Sequence, residues 1–67
     1  MMKYEDYKDK LEKEVLLTTM DDMVFRGVLY LGDSKYDTSS GEDEVEIFTG
    51  KAIVGIVESD IKSLEVL

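Results

Sequence analysis

Sixty-seven residues carry sixteen Asp and Glu against eight Lys and Arg, a formal net charge of −8, with no His, Cys, Pro or Trp. These counts exclude a disulfide, a Cys/His zinc site and any Ser–His, Cys–His or metal–His catalytic arrangement within one chain, so the composition predicts a protein that is not an enzyme. A domain this small buries only about 60% of its unfolded surface, and self-association is the remaining way to reinforce its core.

The first element is a helix over about residues 3–13. Tyr4, Tyr7, Leu11 and Val15 recur at spacings of three and four, which draws a narrow apolar stripe. Asp6 with Lys10, and Asp9 with Lys13, set an acid four residues ahead of a base, and each pair supports a helix by about 0.3 kcal/mol. A narrow stripe predicts a helix lying on a sheet rather than one buried all round.

Five strands follow in expectation. Residues 14–20 hold the strand formers Val15 to Thr19, and Asp21-Asp22 then turns the chain. Residues 23–32 are the most β-prone run. Phe25, Gly27, Leu29 and Leu31 share one face there, and Val24, Arg26, Val28 and Tyr30 share the other. Gly27 in mid-strand marks a sharp bend or a close approach. Gly32 to Asp43 is a long polar loop. Residues 44–49 alternate, with Val45 and Ile47 inward. Gly50-Lys51 turns into a strand over 51–57, where Gly55 permits another bend. Glu58-Ser59-Asp60 is a tight polar connection to a last strand over 61–67. The chain therefore reads as a single, mainly β domain over 1–67. An N-terminal α-helix precedes five strongly bent antiparallel strands that form a small barrel.

The spacing Gly27-x-Leu29-x-x-x-Asp33-x-x-Tyr36-Asp37 resembles the first motif of the Sm-like (LSm) family. In that motif a Gly bends the second strand, a Leu enters the core, and an Asp and then an aromatic-Asn pair follow. The order of helix and strands is also similar. The resemblance implies a small SH3-like barrel that pairs edge strands with its own copies into a ring of about five to seven subunits. It further implies short single-stranded RNA at the inner rim. Carried over by position, Tyr36 would stack on a base, Asp33 would orient the loop, and Asp37 would stand where the family reads the base edge with Asn. Gly55 would stand for the glycine of the second motif.

Two departures change the chemistry. An ionised Asp37 only accepts hydrogen bonds, whereas Asn both donates and accepts. Val54-Gly55 lacks the cation that precedes the glycine in the family, and single-strand binding needs stacking together with positive charge. Plainer readings also apply. Tyr36 serves equally as an exposed loop residue, and Asp33 after Gly32 is a common turn former. Arg26, the one Arg, reads first as a salt bridge between subunits and second as a phosphate contact. A calcium-loop spacing over Asp33, Asp37, Ser39 and Glu44 is broken by Lys35 and by Thr38 at the glycine position.

The sequence therefore predicts a ring-forming Sm-like binding module with short single-stranded RNA as its ligand. The alternative is an oligomeric protein-interaction scaffold of the same fold, favoured by the acidic charge. No cofactor or metal is implied. No apolar run is long enough for a membrane span or a signal peptide, which predicts a cytoplasmic protein without a membrane partner.

Overall fold

The computed structural model describes residues 2–34, 36 and 41–67. The helix is shorter than the stripe suggests. α1 covers Tyr4–Tyr7 and tightens into a single 3-10 turn over Lys8–Lys10. Its start is held by a reciprocal pair of bonds between Lys3 and Asp6. The Lys3 N–H donates to the Asp6 carboxylate at 3.0 Å, and the Asp6 N–H donates to the Lys3 carbonyl at 2.8 Å. Asp6 is thereby used as a cap, and Lys10 Nζ reaches the Asp6 carbonyl rather than its carboxylate. Leu11 is already extended, and Glu12 adopts a left-handed φ of 65°. The Glu12 N–H donates to the Leu29 carbonyl at 2.6 Å. That contact with the sheet stops the helix where local propensity alone would carry it on.

Five antiparallel strands follow: β1 (Glu14–Thr19), β2 (Val24–Leu31), β3 (Glu44–Phe48), β4 (Ile53–Val57) and β5 (Ile61–Val66). Their order across the sheet is β4-β3-β2-β1-β5. β1 and β2 are joined by Met20–Met23, and the Thr19 N–H donates to the Met23 carbonyl at 2.8 Å, which leaves a three-residue loop, Met20–Asp22, inside that pair. The Asp22 N–H donates to the Thr19 carbonyl at 2.9 Å, and Asp22 takes a left-handed φ of 68°. This is the type I turn plus left-handed residue of three-residue hairpins. Between β3 and β4 the turn places Gly50 at φ 93°, as a two-residue hairpin with glycine first requires.

The sheet is strongly curled. In a flat sheet of this order β4 and β5 would lie four strand spacings apart, about 19 Å. Yet they are joined by a single 3-10 turn, Glu58–Asp60, which advances only about 6 Å. The ends of the two outer strands therefore meet at one corner. Among the described residues no ladder joins β4 to β5, so the sheet is open along both edges. The inward faces of all five strands supply one core of Val15, Leu17, Leu29, Val45, Ile47, Ile56 and Ile61, closed by Tyr7 from α1.

Gly27 sits at a close approach of β2 to β3. A Cβ there would stand 2.2 Å from the Phe48 carbonyl oxygen, so the β3 backbone crosses where a side chain would be. On the same strand Phe25 is half-buried and Leu29 fully buried, but Leu31 is 52% exposed. The expected inward face thus ends at Leu29 in burial, although Leu31 still pairs with the fully buried Val45.

Candidate functional site

The corner where β4 turns into β5 gathers the chain's distant parts. The Glu58 N–H donates to the Asp43 carbonyl at 3.0 Å, ahead of β3, and the Met20 N–H donates to the Asp60 carbonyl at 2.9 Å, after β1. Glu58 is buried, and its carboxylate accepts the Tyr7 hydroxyl at 2.5 Å. Burial first, then the Glu58 hydrogen bond and charge, hold the Tyr7 phenol well above its ordinary range. Tyr4 meets the Tyr7 ring edge-on at 5.7 Å. This pair of interactions clamps α1 over the corner. Sequence reasoning treats Glu58 only as a connection residue. The partners are 51 positions apart, so no local pattern reports their pairing.

The candidate recognition residues are placed as follows. Asp33 is exposed and continues the β2–β3 pairing by one step, its carbonyl accepting the Glu44 N–H at 2.8 Å. Tyr36 is 85% exposed. Asp37 lies outside the described residues. Gly55 sits in the middle of β4, opposite Glu46 in the register, and not in the β4–β5 connection. Gly27 belongs to the fold, at the crossing with Phe48.

What Asp33 and Gly55 share is Glu44. From one side Glu44 donates its amide to Asp33. From the other, its Oε1 reaches over Gly55, 3.2 Å from where a Cβ would be. Val45 and Ile47 are buried, so Glu44 and Glu46 point to the outer face, and both are half-buried. No Lys or Arg lies between Ile53 and Asp60. Arg26 pairs instead with Glu14 of its own chain at 3.4 Å, with both side chains exposed. The arrangement is rich in acceptors and offers negative charge. Its chemistry suits a cationic or donor-bearing partner better than a phosphate.

Glu44 is the residue that sequence reasoning undervalued, grouping it with a solvated acidic stretch. The alternation Glu44-Val45-Glu46-Ile47 already put it outward. Its reach over Gly55 depends on the β3–β4 register, which only the fold supplies. No family model matches the chain, and no curated protein or solved structure matches it.

Proposed function

We propose that this chain is an Sm-like small barrel that assembles with its own copies into a ring of about five to seven subunits and serves as a protein-interaction scaffold. One observation carries the reading. Among the described residues the curled sheet ends in two unpaired edges, and one of them, β4, is the uncharged run Ile53–Val57. An exposed edge without charge or proline is an invitation to strand pairing unless something covers it. Helix, strand order and the Gly27 crossing all support the same reading. The rim favours a scaffold because the β4–β5 connection carries Glu58 and Asp60 and no cation, while the Glu44 carboxylate covers Gly55.

The specific support for RNA is Tyr36, whose ring is almost wholly open to solvent. It keeps single-stranded RNA as the second reading. Light scattering on a sizing column tests the ring: a mass of several 7.6 kDa subunits is expected, and a monomer at high concentration overturns it. Fluorescence anisotropy with oligo-U and oligo-A then separates the two readings. Absence of binding at tens of micromolar protein is the scaffold outcome. If RNA binds, Tyr36→Ala should weaken it by about 1–3 kcal/mol, the stacking of one base. An unchanged affinity removes Tyr36 from the interface.

A further inference from the structure

The β4 edge carries no charge of its own, yet a charge is presented there. Glu44 stands one strand inside the edge, and its carboxylate Oε1 lies over the bare Gly55 of β4. Among the described residues it forms no ion pair, and it is already half-buried. A strand added to β4 would strip more water from this carboxylate, which costs free energy unless that strand brings a cation.

The opposite edge of the same chain has one. β5 reads Ile61-Lys62-Ser63-Leu64-Glu65-Val66, and Lys62 is its only basic residue. The register of β5 on β1 slips at this point, since Thr18 faces Ser63 while Thr19 faces Ile61. Lys62 is the extra residue of that bulge, so its side chain is not committed to the core. It is exposed and holds Asp22 at 2.7 Å, a surface contact that is easily exchanged.

Resting on the ring reading above, we infer that each seam is fixed by an ion pair between Glu44 of one copy and Lys62 of the next. Two neighbouring antiparallel registers that keep the core faces on one side differ in what they set beside Gly55. One sets Val54 against Leu64 of the next copy, which places Ser63 opposite Gly55 and Lys62 beside it, under Glu44. The other sets Val54 against Val66, which places Glu65 opposite Gly55. There it would face Glu46 across a residue with no side chain to separate them. Like charges so placed are repelled, and the first register is selected.

Charge exchange tests this directly. Lys62→Glu, Glu44→Lys and the double exchange are compared with the parent by light scattering at matched concentration and salt. Circular dichroism checks that each folds, and Glu44→Gln provides a milder variant. Each single exchange should weaken assembly by at least about tenfold, because it sets like charges face to face. The double exchange should restore the parent mass. Rings that persist unchanged in both single exchanges, or a double exchange no better than its parents, overturn the ion pair and leave the ring standing. A parent chain that stays monomeric overturns both.

Discussion

At the scale of single residues, Tyr7 and Gly27 bear the most weight. Tyr7 is 1% exposed, and its hydroxyl is the partner of a buried carboxylate. Tyr7→Phe keeps the ring and leaves Glu58 short of that bond, so it should lower stability by about 1–3 kcal/mol in urea unfolding. A loss below about 0.5 kcal/mol would mean that water replaces the hydroxyl. The raised phenol pKa adds an alkaline signature. Unfolded tyrosine releases its proton near pH 10, in the ordinary range, whereas folded Tyr7 keeps it. The folded state then holds more protons. Its stability is full below about pH 10 and falls above it by about 1.4 kcal/mol per pH unit. Unfolding curves across that range should show the slope in the parent and a flatter one in Tyr7→Phe. The glycines offer a matched contrast. Gly27→Ala drives a Cβ into the Phe48 backbone and should cost more than about 2 kcal/mol. Gly55→Ala meets only the movable end of Glu44 and should stay within about 1 kcal/mol. Equal costs at the two sites would refute this reading of the bend.

At the scale of elements, the sequence was legible wherever a pattern is local. Val45 and Ile47 alternate with acids and are both fully buried. Met20 to Met23 forms the hairpin turn that its Asp pair suggested. The end of the helix was not legible, because Leu11 and Lys13 suit a helix and nothing nearby forbids one. Its end is dictated by Leu29, which takes the Glu12 amide from across the fold. Glu12 is held left-handed as a result, a conformation that costs a non-glycine residue about 1–2 kcal/mol. Glu12→Gly should therefore raise stability by about 0.5–1 kcal/mol in thermal or urea unfolding, the relief being partly offset by the freer unfolded chain. A loss of stability instead would show that the Glu12 side chain contributes more than its backbone conformation costs. Gly55 was visible as a bend in a strand. Its place ahead of the connection to β5 was legible too, and only its position opposite Glu46 required the register.

At the scale of the whole molecule, the net charge of −8 and the open edges pull in opposite directions. Repulsion between copies is long-ranged and fades with salt, over a distance of about 10 Å at 0.1 M. Apolar strand pairing is short-ranged and does not fade. If the copies assemble as proposed, assembly of the parent chain should thus gain as ionic strength rises, the inferred Glu44–Lys62 pair lying in the seam where screening is weak. Sedimentation at low and moderate salt checks this, and dissociation on adding salt would point to a seam made mainly of exposed charges. Among the described residues no helix is long and apolar enough to cross a membrane.

β1 and β5 are neighbours in space but first and last in order, with Val15 facing Val66. A chain emerging from its N-terminus exposes the β1 edge through the making of every other strand. The core cannot close until β5 arrives, because β1 lacks its second neighbour until then, although β2 and β3 already have both of theirs. Such a topology favours slow, all-or-none folding, because the longest loop must close before its contacts stabilise it. It also leaves the growing chain with a bare strand, against which its own acidity gives some protection from premature partners.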